Sequence, residues 1–130
     1  MIYLDNSATT QPLPDVINVV RDVMDNIYGN PSSLHRLGLE AERLLTQARR
    51  IAAEQLGVID TEIVFTSGGT ESNNMAIKGV AWQYRERGRH LITTEIEHAS
   101  VYQAFQQLEA HGFSVTYLQP DHLGRVSVAQ

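Results

Sequence analysis

An α/β architecture with a mainly parallel sheet is expected from this sequence on three grounds. The first is order: beyond Gly57, short apolar runs at 62–66, 90–94 and 113–118 alternate with helical patterns at 70–87 and 100–111. Strand–helix–strand alternation of this kind marks crossovers over a parallel sheet. The second is composition: 130 residues, 42% hydrophobic and 19% charged, suit one modest domain with a packed core and argue against wholesale disorder. The third is punctuation, since Gly57 and Gly112 stand where helical patterns stop and glycine takes the left-handed conformation at little cost.

The chain opens on Met1-Ile2-Tyr3-Leu4, a brief strand or an extended arm, followed by a turn-rich stretch from Asp5 to Pro14. Pro14 and Asp15 favour a helix start there. Val16, Val19, Val20, Val23 and Ile27 then recur at helical spacing to Tyr28. Their branching lowers helix propensity, so tertiary burial is expected to hold this helix. Gly29-Asn30-Pro31-Ser32-Ser33 stops it. A second helix is expected from about Ser33 to Leu56, with Gly38 as a candidate interruption and Leu37, Ala41, Leu44, Ala48, Ile51 and Ala52 along its buried stripe.

The run Glu62-Ile63-Val64-Phe65-Thr66 reads as a strand, and Ser67-Gly68-Gly69-Thr70 as a turn with Thr70 capping a third helix to about Arg87. Asn73 stands where a capping-box Glu would stand, which makes that cap partial. Ile77, Val80, Ala81 and Tyr84 mark its packed side; Asn74, Lys78 and Arg85 mark the polar one. His90–Thr94 is a strand, 95–99 a loop, 100–111 a helix with Val101, Phe105 and Leu108 inward, and 113–118 another strand. The C-terminal residues 123–130 follow a turn and hold no terminal helix. Three parallel strands would leave an open edge, which complete proteins normally cover. The chain is therefore expected to be a piece of a larger α/β protein, the alternative being a small domain that buries its edge in a partner. The working division is residues 1–33, an arm with the first helix and a polar loop, and 34–130, a partial large domain.

Charge and residue content narrow the function. The formal net charge of −5 offers no basic surface for direct nucleic-acid binding. The absence of Cys excludes disulfides, cysteine–zinc sites and a thiol nucleophile within these residues. Apolar runs fall short of the roughly 18 residues of a membrane span, and no secretory signal pattern opens the chain, so a cytoplasmic setting is expected.

The sharpest local feature is Phe65-Thr66-Ser67-Gly68-Gly69-Thr70-Glu71-Ser72-Asn73-Asn74. A strand, a glycine turn and a hydroxyl-rich helix start can hold a phosphate, because the first helical amides lack partners and the helix dipole favours an anion. Gly68 and Gly69 leave room for phosphate oxygens and the Thr70 hydroxyl can donate. An ordinary capped strand–helix turn accounts for the same residues. The spacing matches neither G-x-G-x-x-G nor a P-loop, since two glycines are adjacent and no Lys follows. A phosphate carried by a small cofactor fits better than ATP or NAD.

Glu95-Ile96-Glu97-His98-Ala99-Ser100 lies between a strand and a helix, at the sheet edge where α/β sites form. His98 can stack on a flat ring or shuttle a proton; equally, it can be a surface histidine or one that caps backbone groups. Glu95, Glu97 and His98 do not converge as metal ligands, so no metal is expected. His35 follows a loop too polar and too punctuated to be mere spacer, in which Asn30, Ser32 and Ser33 can organise a pocket or cap the next helix. His90, His111 and His122 read as exposed helix-end or turn residues. Lys78, the single lysine, sits about 12 Å along the helix from Thr70 at 1.5 Å per residue, on the polar side, and is rejected as an imine-forming residue.

Together these stretches resemble the N-terminal part of the NifS/IscS-like cysteine desulfurases of the class V aminotransferase group. Four pieces match in order: Tyr3-Leu4-Asp5-Asn6-Ser7-Ala8-Thr9-Thr10, Gly29-Asn30-Pro31-Ser32-Ser33-Leu34-His35, the 65–74 turn continued by Met75-Ala76-Ile77-Lys78-Gly79, and Glu97-His98. The resemblance covers nearly all of this chain and about the first third of such a protein. It implies the fold-type-I pyridoxal-phosphate architecture, a homodimer, and removal of sulfur from L-cysteine to leave L-alanine and an enzyme persulfide. That sulfur would pass to an acceptor such as an iron–sulfur scaffold or a tRNA-thiolation enzyme. In that scheme Gly69 and Thr70 hold the phosphate of pyridoxal 5′-phosphate, and His98 stacks over its ring and assists proton transfers. Residues 5–10 and 30–35 would line the approach near the dimer interface, with Glu71 and Asn74 supporting the turn. The family's imine-forming lysine, its pyridine-pairing aspartate and its sulfur-carrying cysteine all belong beyond Gln130, so this chain alone is expected to be inactive. A selenocysteine lyase, another class V enzyme, and a non-catalytic remnant packed on a full-length partner are the alternatives.

Overall fold

The computed structural model describes residues 2–128. Backbone contacts gather the chain into two units, Met1–Val64 and Phe65–Gln130.

In the first unit, residues 2–13 hold no helix or strand, so of the two readings of the opening the extended arm applies to 2–4. The turn-rich stretch is knitted locally: Ala8 and Thr9 N–H donate to Asp5 O (3.1 and 3.3 Å), and the Tyr3 and Thr9 hydroxyls bond each other. Helix α1 spans Pro14–Asn26, with Pro14 in its first turn as expected. The burial expected of its valine stripe is not found: Val16, Val19 and Val20 stay half-exposed, and only Val23 and Ile27 reach partial burial. The apolar periodicity encodes a helix with an inward face, but the first unit supplies too little surface to cover it.

Helix α2 spans Arg36–Leu56 without interruption. Gly38 is a packing requirement and not a break, because a Cβ there would collide with Ser33 O and lie 2.8 Å from Asn30 O. The helix ends on Gly57 in the left-handed region (φ 67°), whose N–H and that of Val58 close the last turn. Its buried stripe is thinner than expected: Ala53 is buried and Leu37, Ala41, Leu44 and Ala52 are partly so, while Ala48 and Ile51 are exposed. A 3₁₀ turn, Asp60–Glu62, packs against α2, and Arg49 Nε donates to Ile63 O (3.3 Å).

The strand expected at 62–66 is therefore a correction. Glu62 closes the 3₁₀ turn, and 63–66 takes no place in the sheet. An apolar β-branched run supplies only a tendency, and a strand forms against a ladder neighbour. The two strands among the described residues pair with each other instead.

The second unit is a strand–helix–strand unit preceded by a helix. Helix α3 (Gly69–Gln83) leads to β1 (His90–Thr94), α4 (Ala99–Ala110) and β2 (Ser114–Leu118). The strands are parallel and in register from His90↔Ser114 to Thr94↔Leu118. This confirms the parallel sheet expected from the alternation, with two strands among the described residues where three were expected. The core is small: Ala81 of α3, Leu108 of α4 (2% exposed) and Phe113 are buried together, with Ile77 and Leu91 packed on them and Trp82 edge-on to Phe113 at 5.4 Å. Val101 and Phe105 are partly buried, as their spacing on α4 implies. No helix among the described residues is long and apolar enough to cross a membrane.

Candidate functional site

The glycine turn leads straight into α3, whose cap lies two residues earlier than expected. Gly68 is the N-cap, in extended backbone, and Ser72 N–H donates to Gly68 O (3.1 Å) as the first helical bond. Thr70 thus sits inside the first turn and does not cap it. The capping partner is Glu71: its Oε2 accepts from Ser67 N–H (2.6 Å) and Ser67 Oγ–H (2.7 Å). These two bonds hold the Glu71 carboxyl below the usual carboxylate range, the backbone bond contributing most. Hydroxyls complete the turn, with Thr66 Oγ1 and Ser72 Oγ 2.6 Å apart and each 3.2 Å from Gly68 O.

This arrangement leaves the amides of Gly69, Thr70 and Glu71 without a bond inside the helix, as at every helix start. The dipole concentrates about half a positive charge there. The Thr70 hydroxyl is exposed and takes no partner among the described residues, and a Cβ built at Gly68 or Gly69 meets nothing within 4 Å. An exposed start with outward amides, a free hydroxyl and open space above two glycines is the donor set a phosphate monoester needs.

His98 is the N-cap of α4. Its Nδ1 accepts from Ser100 N–H (3.1 Å) and lies 2.9 Å from Ser100 Oγ. The capping reading of His98 is thus found, and the residue is exposed. Its loop is braced by Thr94 Oγ1 donating to Glu97 Oε1 (3.0 Å). Among the described residues no three His, Asp or Glu gather around a common point that could hold a metal ion.

Two asparagines join the helix starts. Asn73 Nδ2 donates to Ser100 Oγ (2.8 Å), while Asn74 Nδ2 reaches Thr70 O (2.9 Å) and Ser100 O (3.4 Å). Asn74 therefore touches the backbone of both segments, and Asn73 leads through Ser100 to the His98 ring. The face of α3 that meets α4 is Asn73, Asn74, Ile77, Lys78 and Ala81, whereas Val80 (59%) and Tyr84 (47%) face solvent. This corrects the expected faces: Asn74 and Lys78 belong to the packed side, because hydrogen bonds to α4 satisfy the asparagines there. Lys78 is partly buried in a shallow depression with Trp82, Leu108 and His111.

Sequence reasoning missed Asn73 and Ser100 as site residues. The available signal was the His-x-Ser spacing at a helix start, where a ring nitrogen meets the amide two residues on. The first-unit candidates resolve differently. His35 caps α2 with Nδ1 accepting from Gly38 N–H (3.3 Å), and Asn30 Oδ1 accepts from Ser32 N–H (2.9 Å). The cap of α2 is thus His35 and not Asn30, Ser32 or Ser33, the residues expected to cap it. His90 opens β1 and lies 2.8 Å from Thr116 Oγ1, and His111 follows the end of α4.

The aminotransferase class-V family model matches residues 2–130. A NifS/IcsS protein homolog of Lactobacillus delbrueckii subsp. bulgaricus is 55% identical over 127 residues, 98% of this chain and 33% of that protein. Cysteine desulfurase IscS of Methanosarcina thermophila is 46% identical over 126 residues, 97% of this chain and 31% of that protein. A solved NifS-like protein superposes with a TM-score of 0.88 at 40% identity, covering 95% of this chain and 34% of that one. The chain spans about a third of the length of the curated relatives it matches.

Proposed function

The chain belongs to the aminotransferase class-V family, and on that premise we propose that it is the N-terminal portion of a pyridoxal-phosphate-dependent cysteine desulfurase. The reaction removes sulfur from L-cysteine and leaves L-alanine, with the sulfur held as an enzyme persulfide until an acceptor takes it. The observation that carries the reading is the pairing of two helix starts: the phosphate-ready turn at Gly69 and Thr70 is tied through Asn73 and Asn74 to the α4 start that bears His98. A phosphate on one and a flat ring beside the other is the disposition a phosphorylated pyridine requires.

Bound pyridoxal phosphate supplies the electron sink that makes chemistry at an amino acid's α-carbon accessible. This chain's residues contribute binding and orientation. The Gly69 and Thr70 amides and the Thr70 hydroxyl hold the phosphate; Glu71 keeps the turn closed by gripping Ser67. His98, anchored at Nδ1, would stack on the ring of the bound group. The imine-forming lysine, the aspartate for the pyridine nitrogen and the sulfur-carrying cysteine belong to residues outside this chain. A homodimer, a sulfur-acceptor protein such as an iron–sulfur scaffold or tRNA-thiolation enzyme, and a cytoplasmic setting complete the proposal.

The test is the full-length protein incubated with L-cysteine and an added dithiol, which reduces the enzyme persulfide and releases its outer sulfur as sulfide. Alanine and sulfide in equal amounts, with a visible cofactor band that cysteine perturbs, support the reading. Activity on selenocysteine alone, transamination without sulfide, or an intact mass near 14.5 kDa with no cofactor would each overturn it.

A further inference from the structure

We propose that Ser100, backed by Asn73, is a positioning residue that holds His98 in the tautomer with its proton on Nε2, so that the ring enters the site as a hydrogen-bond donor and not as a base. The inference deepens the functional reading above and rests on it.

Donor and acceptor capacity decides where the ring carries its proton. Ser100 N–H can only donate, and it lies 3.1 Å from His98 Nδ1, so that nitrogen presents its lone pair. The Ser100 hydroxyl lies 2.9 Å from the same nitrogen. Because Nδ1 already presents its lone pair to the backbone N–H, the hydroxyl donates to it, while its oxygen accepts the Asn73 amide at 2.8 Å. Nδ1 therefore faces two donors, and the proton of the neutral ring belongs on Nε2.

Acting as a base through its outer edge would require a lone pair on Nε2 and a proton on Nδ1. A proton on Nδ1 would point at the Ser100 amide. The anchor is also dry where the ring is wet: Ser100 is 7% exposed and His98 is exposed. Asn73 lies on α3 and Ser100 on α4, so the relay fixes the ring with respect to the phosphate-ready turn as well as in its protonation pattern. A neutral imidazole held this way polarises an atom by donating to it, a role known for histidines at helix N-termini.

The experiment uses the full-length protein with ¹⁵N-labelled histidine rings, the His98 signals being assigned with H98Q. Cofactor-free and loaded wild type should both show a bare Nδ1 and a protonated Nε2. S100A removes the hydroxyl donor and keeps the backbone N–H on Nδ1, so it should shift His98 only part of the way toward the other tautomer and lower kcat about two- to tenfold with KM little changed, the size of one lost hydrogen bond in the transition state. S100T, which keeps the hydroxyl, should restore both. N73D keeps Ser100 but draws its hydroxyl toward a carboxylate, so it should reproduce the S100A spectrum; it also serves if S100A does not fold. A wild-type ring protonated on Nδ1, or wild-type spectra in both S100A and N73D, would overturn the proposal. The cofactor-free spectrum needs no bound cofactor, so its failure is distinct from a failure to bind pyridoxal phosphate or to act on cysteine.

Discussion

Replacing Thr70 with Val probes the phosphate grip while sparing the fold. Valine has nearly the shape of threonine and a similar helix propensity. The Thr70 hydroxyl has no partner among the described residues, and the residue is exposed in the first turn of α3. The cofactor-free full-length protein should therefore keep its stability within about 0.5 kcal/mol, the range of a surface substitution. A hydroxyl bond to a charged phosphate contributes about 1.5–3 kcal/mol, so T70V should weaken pyridoxal phosphate binding about 10- to 150-fold. The outward amides and the helix dipole remain, so binding is reduced and not abolished. Titration of cofactor-free protein with pyridoxal phosphate and, separately, with pyridoxal isolates the phosphate contribution. T70V should affect only the phosphorylated ligand, and T70S should recover most of the loss. Equal affinities for wild type and T70V, or an equal loss for both ligands, would refute the assignment of Thr70.

Gly38→Ala in α2 should destabilise the full-length protein by about 1–3 kcal/mol by overpacking, although Ala ordinarily favours a helix over Gly, because the new Cβ would run into Ser33 O and Asn30 O; urea unfolding that shows a gain would contradict the packing described. The Glu71 carboxyl is depressed by its bonds to Ser67. Its contribution to stability is therefore present above the ordinary value of 4.5 and is lost as pH falls through the depressed folded value. Thermal melting at stepped pH should show wild type falling more steeply than E71Q in that acid window, and parallel curves would count against the Ser67 clamp.

Much of the second unit was legible because its signals are local. Gly112 stops α4, the β-branched runs at β1 and β2 recur after the expected intervals, and the turn at 67–70 announces a helix. The errors arose where a neighbour decides. The run at 62–66 has strand composition but takes no place in the sheet, and the valine stripe of α1 has helical spacing but little to bury it. At the site, Thr70 and His98 stood out by residue type and position. Asn73 and Ser100 did not, because their value lies in a bond between residues 27 positions apart. Periodicity treated Asn74 and Lys78 as the wet side of α3, and only the hydrogen bonds to α4 turn that face inward.

The most direct test is a structure of the full-length protein with pyridoxal phosphate bound. The account predicts phosphate oxygens within about 3 Å of the Thr70 amide and hydroxyl, with the His98 ring facing the pyridine and its Nδ1 still on Ser100. A phosphate seated away from the α3 start, or a His98 ring turned from the cofactor, would contradict it.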